Sequence, residues 1–401
     1  MKILVIGSRI PYPLHDGGAI ATYSLLKGLA QTGNDVHFFS INTKKHFVSA
    51  QTIKEKFGFL SNVVPFYIDT SLNLWQAANS FFTNKSYNIS RFFDPQMAEA
   101  LNVYIAKNTF DTIHFEGLFV SEYAQHLKKN NTPIIYRAHN VEFKIWETLA
   151  NTHKNILKKW IFSYLAKKIK QFETHIIHYF DAIAAITKND AVILKSLGYE
   201  KTIETICVGI ESKTANNQAN EIPENVYHIG SMEWMPNQEA MKWFAEKIWP
   251  LVVKQNPKAM FYMAGKNMPT GFHAYQNENL KVVGEVADLE EFTKNKSILV
   301  VPLLSGSGLR IKTLEGMFAQ KAIISTTTGA IGLDITNENE MLLADNSQAF
   351  ADCIIKLIDN NLLRNDMAKR GQQFAEKYFG MAQVSAQWQS LYEKIMAKNR
   401  L

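Results

Sequence analysis

SILVVPLLSGSGLRIKTLEGMFAQKAIIST, residues 297–326, contains three kinds of text in succession. An unbroken apolar run ends at Leu304, and a Ser-Gly-Ser-Gly loop follows. Apolar residues then recur at helical spacing from near Leu309, and a second apolar run starts at Ala322. A strand that is apolar throughout is buried on both faces, so strand, helix and strand in this order predict a parallel βαβ unit. The loop then lies at the carboxyl end of its strand, where doubly wound sheets hold ligands. Gly306 and Gly308 allow close approach to the amides of Leu309, Arg310 and Ile311. These are unpaired donors of a first helical turn, suited to phosphate oxygens. Arg310 and Lys312 add two cations where the helix dipole disfavours them, so an anion is expected to compensate both. Lys312 and Glu315 are three residues apart on one helix face. That spacing fits a surface ion pair, or a carboxylate that holds vicinal hydroxyls such as those of a ribose.

The same unit recurs along the chain. In the first half, strands are predicted at KILVIG, DVHFFSI, VVPFYI, TIHFEG, IIYRAH and AIAAIT. In the second half they are predicted at VYHIGS, MFYMAG, LKVVGEV, SILVVPLL, KAIIST and EMLLAD. Helical text separates them, for example AIATYSLLKGLAQTG, which stops at Gly33. Between the halves, ESKTANNQANEIPEN at 211–225 is polar, lacks apolar periodicity and reads as a linker. The expected fold is α/β, with two doubly wound, Rossmann-like domains facing a central cleft, the default ligand site. Domain one spans 1–205 and domain two 206–380. The amphipathic helix at about 381–401 returns to the first.

Composition excludes several classes. The 401 residues are 46% apolar and 20% charged, an ordinary globular balance with room for two cores. A net charge of +6 without a dense basic tail argues against nucleic acid and is compatible with an anionic ligand or membrane surface. Cys207 and Cys353 form no CxxC, so neither a disulfide framework nor a zinc site is expected. The first strand is too short for a signal peptide, and no apolar run spans a bilayer, so a cytoplasmic protein is expected.

After the first strand the text reads VIGSRIPYPLHDGGAIATYS, without GxGxxG, which excludes the usual dinucleotide fingerprint. Gly17 and Gly18 open a helix there and suit a bound anion, or serve as turn glycines. Arg137, His139, Asn140 and Glu142 converge after the fifth strand. His139 is the candidate hydrogen-bond donor or acid–base group. In VYHIGSMEWMPN, Gly230 and Ser231 end a strand, and Asn237 is a helix N-cap or a ligand contact. After KVVGEV, the peptides around Val286 are candidates for a nucleobase edge, and Asp288 is an expected N-cap with Glu291 as its box partner.

These stretches together resemble the retaining family 4 glycosyltransferases of GT-B fold, the "group 1" type, over nearly the whole chain. The resemblance is carried by YPLHDGGAIATYSLLKGLAQTGNDVHFFS, RAHNVE, HIGSMEWMPN and above all PLLSGSGLRIKTLEGMFAQKAIISTTTGAIGL. Members typically carry two glutamates separated by seven residues. The second matches Glu315, which implies ribose contact, and the first falls on Ser307, at the donor-sugar position. Many relatives hold the diphosphate with an Arg and a Lys early in the second domain. GSMEWMPN has neither, so Arg310 and Lys312 are expected to supply the charge, with Gly18, Gly308, Leu309 and Ile311 beneath the diphosphate and His139 near the sugar.

The resemblance implies transfer of a hexose-type sugar from a UDP- or GDP-linked donor to a glycan or lipid-linked acceptor, with retention and without metal or other cofactor. Cell-surface polysaccharide synthesis is the expected setting. The aromatic segment 75–96, with Lys85 and Arg91, is a candidate acceptor surface or a packed helix pair. Residues 153–173 carry Lys154, Lys158, Lys159, Lys167, Lys168 and Lys170 among aromatics. They read as a basic face for the inner membrane leaflet or as a solvated helix face. The alternatives are a sugar-nucleotide epimerase of the same fold and a non-catalytic nucleotide-sugar-binding subunit.

Overall fold

The structure is a computed structural model and describes residues 1–14, 16–71, 86–128, 131–152, 155–211, 221–306 and 308–399. Ser307, Lys85, Lys154, most of the 211–225 stretch and the first part of the aromatic segment lie outside the described residues. The chain forms two compact units, Met1–Gly209 with Met381–Leu401, and Ile210–Gly380.

The first unit holds seven strands: β1 (Lys2–Gly7), β2 (Asp35–Thr43), β3 (Asn62–Ile68), β4 (Thr112–Glu116), β5 (Ile134–Ala138), β6 (Ala182–Ala185) and β7 (Thr202–Thr205). Their order is β3-β2-β1-β4-β5-β6-β7 and every pairing is parallel. Gly7 at the end of β1 aligns with Ser40 on one side and Glu116 on the other. Side chains alternate across the sheet. Leu4 and Ile6 pack with Phe39, Phe115 and Tyr136, while Ile3 and Val5 pack with Leu25, Leu26 and Leu29 on the opposite face. Both faces are covered, which explains why the strands contain so few polar residues.

Helix Met381–Asn399 completes that second face with Val384, Trp388, Leu391, Tyr392 and Ile395. It lies close to helix Gly17–Gln31 because Gly28 has no side chain. A Cβ there would stand 2.3 Å from Ser385 Oγ. Helix Gly17–Gln31 is capped by Asp16, whose carboxylate accepts from the Ala19 amide at 3.0 Å. Helix Ile156–Ile176 buries Ala166, Ile169, Glu173 and Ile176 but leaves Ile156, Leu157 and Trp160 exposed.

The second unit holds β8 (Ile222–Ile229), β9 (Met260–Ala264), β10 (Leu280–Gly284), β11 (Lys296–Val301), β12 (Ala322–Ser325) and β13 (Leu342–Leu343). Their order is β10-β9-β8-β11-β12-β13, again all parallel. Residues 222–225, read from sequence as linker, form the first half of β8. The polar text there is held by the neighbouring strand: Asn225 donates to the Asn295 carbonyl at 3.0 Å, and Ser297 donates to the carbonyls of Ile222 and Pro223. The short edge strand β7 also has no apolar run to announce it, being half-buried TIET. Strand order reverses between β1 and β4 in the first unit and between β8 and β11 in the second. A crevice opens at such a point beyond the strand ends. Among the described residues no helix is long and apolar enough to cross a membrane.

Candidate functional site

In the second unit, the β8/β11 switch point gathers a cluster of cations. His228 on β8 is fully buried, and its Nδ1 lies 2.8 Å from the Val300 carbonyl on β11. A carbonyl only accepts, so Nδ1 carries the proton and Nε2 presents a lone pair. Lys312 Nζ fills that position, 3.2 Å from Nε2, and also donates to Asn237 Oδ1 at 2.8 Å. Asn237 in turn donates from Nδ2 to the Ser231 carbonyl at 2.7 Å, which fixes its amide orientation. Burial, reinforced by the Lys312 charge, holds His228 well below the usual imidazole range, so it stays neutral. Burial and the nearby Arg310 bring Lys312 down to about 7, with Glu315 opposing the shift.

Arg310 is buried and its guanidinium lies 4.9 Å from the centre of the Trp234 ring. Burial pushes its pKa down to about 10. The helix after it, Ile311–Phe318, starts two residues later than its sequence suggests. Arg310 occupies the N-cap, where its side chain has no acceptor to offer the first-turn amides. Gly306 has φ +111° and Gly308 +83°, backbone that favours glycine. A Cβ on Gly306 would meet Trp234 at 2.8 Å, and one on Gly230 would stand 2.5 Å from Lys312 Nζ. These glycines leave room for the cation pair. Two desolvated cations beside uncapped helix amides are chemically suited to a polyanion such as a diphosphate.

Of the sequence candidates, this cluster joins Gly230, Ser231, Asn237, Arg310 and Lys312. Gly308, Leu309 and Ile311 form the loop and helix start, and Glu315 lies one turn onward. Asn237 is not an N-cap. Helix Met235–Trp243 begins two residues before it, and its side chain turns to Lys312 instead. Asp288 does cap its helix, accepting from the amides of Glu290 and Glu291. Val286 follows β10, the edge strand, two positions from β8.

In the first unit, a cavity of about 740 Å³ opens beyond the β1/β4 switch point. Its walls include Gly18, Thr22, Glu116, His139, Asn140 and Glu142. Glu116 is 3% exposed and accepts from Arg137 Nη1 at 2.9 Å and Thr22 Oγ1 at 3.1 Å. One of its oxygens lies 2.7 Å from His139 Nε2 and the other 2.9 Å from His114 Nε2. Burial alone would raise its pKa, but Arg137, His139 and these hydrogen bonds hold it well below the usual carboxylate range. Burial lowers His114, which therefore stays neutral despite the carboxylate beside it. Its Nδ1 meets Tyr392 Oη at 2.8 Å, so the carboxyl-terminal helix reaches this network. With Nε2 given to Glu116, His139 keeps Nδ1 for other partners.

Arg137 does not serve a ligand here. It is 1% exposed, neutralises Glu116 and donates to the Ala21 carbonyl, so it belongs to the support of the site. Gly17 opens its helix, whereas Gly18 reaches the cavity. Glu116, His114, Tyr392, His228 and Trp234 had no assigned role in the sequence reading. The signal for the first two was present: in TIHFEG a histidine and a glutamate alternate on one face of an otherwise apolar strand.

Comparison with known proteins gives two family matches. Residues 15–213 match "Glycosyltransferase Family 4" and residues 223–360 match "Glycosyl transferases group 1". A 44.6 kDa protein of the cps region of Klebsiella pneumoniae is 22% identical over 412 residues, covering 96% of this chain and 97% of that protein. A glycosyltransferase of Methanocaldococcus jannaschii is 29% identical over 127 residues, 30% of this chain and 32% of that one. Among solved structures, sucrose-phosphate synthase from Thermosynechococcus elongatus superposes with a TM-score of 0.71 at 14% identity, over 99% and 100% of the two chains. Anabaena HepE in complex with UDP gives 0.65 at 13% identity, over 98% and 100%. At these identities the structural likeness speaks to the fold.

Proposed function

The chain belongs to the group 1 and family 4 glycosyltransferases, and from that premise we propose that it is a retaining, GT-B-fold enzyme that moves a sugar from a nucleotide-sugar donor to a glycan or lipid-linked acceptor. The observation that carries this reading is the buried Arg310–Lys312 pair at the β8/β11 switch point. Lys312 is anchored by two neutral groups, His228 and Asn237, and lies within the field of Glu315, so a buried ammonium stands at the strand ends where an anion can reach it. A nucleoside diphosphate fits: phosphate oxygens to Arg310, Lys312 and the amides near Ile311, and ribose hydroxyls to Glu315. Neighbouring folds have been solved with UDP and with UDP-glucose, which supports a UDP-linked donor, with GDP the alternative base.

In this reading Arg310 and Lys312 stabilise the charge that grows on the leaving diphosphate, and no metal or other cofactor is required of the chain. His139, oriented by Glu116, contacts the sugar or the acceptor hydroxyl from the first-unit cavity. Most of the rate comes from positioning and electrostatics. Ser307, at the family's donor-sugar position, is a determinant of which hexose is used. The cellular setting is cell-surface polysaccharide synthesis in the cytoplasm. The exposed Ile156, Leu157 and Trp160 beside Lys158 and Lys159 support contact with the inner membrane leaflet.

The test is nucleotide release from a panel of UDP- and GDP-sugars with glycan and lipid-linked acceptors, and NMR of the product anomer. Turnover of one donor with retention is expected. Binding without turnover across the panel would leave a nucleotide-sugar-binding subunit, and an inverted product would refute retention.

A further inference from the structure

The charges around the first-unit cavity do not cancel. Two positive and negative pairs are internal: Arg9 with Asp16, and Arg137 with Glu116. Glu142, on the cavity wall, is raised by burial to about 7 and so is only partly ionised at neutral pH. Arg91 and Lys45 remain on the wall. Among the described residues, neither has a carboxylate partner. Arg91 is half-buried and its guanidinium lies 5.1 Å from the Phe92 ring centre. Among the described residues, its Nη1 donates to the Thr70 carbonyl at 3.4 Å, and its Nε is buried with no hydrogen-bond partner. A half-buried guanidinium whose Nε is buried and unpaired is completed well by an anion.

Other lining residues have a different character. His139, Asn140 and Glu142 offer a donor, an amide and a carboxyl to a hydroxyl. A cavity of about 740 Å³ holds a sugar together with a further group. We propose that the acceptor is bipartite: a sugar hydroxyl at His139 and Glu142, and an oxyanion, such as a phosphate or diphosphate, at Arg91 and Lys45. This inference rests on the transferase reading but concerns only the first unit. The oxyanion belongs to a soluble sugar phosphate or to a lipid diphosphate. An exposed aromatic pair, Phe47 with Tyr67 at 6.5 Å, begins two residues along the chain from Lys45 and offers an apolar surface to the second.

The experiment uses the full chain with UDP in saturating amount, so that the second-unit anion site is filled. Glucose 1-phosphate, geranyl diphosphate and methyl α-glucoside are titrated by calorimetry or ligand-observed NMR. Both oxyanion probes are expected to bind more tightly than the neutral glucoside. Replacing Arg91→Gln with Lys45→Gln is expected to weaken them by about tenfold or more, leaving the UDP dissociation constant within about twofold. Tighter binding of geranyl diphosphate than of glucose 1-phosphate assigns the lipid source, and the reverse assigns the soluble one. The inference is overturned if neither oxyanion binds at millimolar concentration, or if the double variant binds both as the parent does. Failure of UDP itself to bind would instead count against the transferase reading.

Discussion

Lys312 Nζ and His228 Nε2 lie 3.2 Å apart, with the histidine proton directed away to the Val300 carbonyl. This pair presents a cation at the strand ends on a neutral partner, with the Glu315 charge nearby. Histidine acts here as a neutral acceptor that locates the ammonium, and burial brings Lys312 near neutrality, where an anion can shift it.

Replacing Arg310→Ala together with Lys312→Ala removes both cations. Charge-assisted hydrogen bonds contribute about 1.5–3 kcal/mol each, so nucleotide affinity should fall at least about 100-fold. Calorimetry with UDP and GDP checks this, with circular dichroism as the control for folding. An unchanged dissociation constant would sink the assignment of the donor site.

The same pair gives a pH signature. Lys312 titrates at about 7 in the free protein, and a bound diphosphate raises that value. Only the cationic form binds the anion well. Nucleotide affinity should therefore be level below about pH 7 and fall as pH rises above it, by up to about tenfold per unit. Binding in that range should take up a proton, visible as a buffer-dependent enthalpy. Lys312→Arg, which stays charged, should flatten the profile.

Gly306→Ala tests whether the loop geometry matters. At φ +111° a side chain strains the backbone by about 1–3 kcal/mol. Its Cβ would also press on Trp234 and on Arg310 Nη2 at 2.9 Å. Weaker nucleotide binding with only a modest drop in melting temperature is expected. Parent-like affinity would show that the Arg310 stack on Trp234 is incidental.

Glu116→Gln keeps an acceptor beside His139 but loses the charge that favours its orientation. A general acid–base group contributes about 10²–10⁴-fold, so loss of the carboxylate that orients His139 is expected to lower kcat by about 10–100-fold with donor KM little changed. Tyr392→Phe leaves the charges intact but strips the buried His114 Nδ1 of its partner, so it should cost about 1–3 kcal/mol of stability and little activity. Equal losses of kcat in both variants would point to general loosening of the first unit.

Glu173 makes the first unit sensitive to base. It is fully buried, accepts from the amides of Glu142 and Phe143 at 3.2 Å, and is raised by burial to about 8. Glu142 and Asp190 nearby add negative charge. The folded state holds this proton more tightly than the unfolded state, so the contribution is full below about pH 4.5 and is lost as pH rises through 8. Melting temperature should fall across that window, and Glu173→Gln should reduce the slope. A parallel slope in the variant would contradict this.

Much of the architecture was legible. Apolar runs separated by helical text specify parallel, doubly covered sheets because both signals are local: side-chain alternation in strands and 3.6-residue spacing in helices. Where polar residues occupy a strand, as at 222–225 and 202–205, the local signal vanishes and the strand is held by its neighbours instead. Arg137 shows the converse. It stood in a promising run of polar residues, yet its position on β5 beside β4 commits it to Glu116.

By itself, then, the sequence determined the fold class, the glycine loops beyond the strand ends, and the family text in which Arg310, Lys312 and Glu315 stand. Only the tertiary structure decided what those groups meet. Lys312 is 84 residues from His228, and His114 is 278 from Tyr392. Such partners are set by strand order and register, which bring distant residues side by side across a sheet, and no local spacing encodes that adjacency.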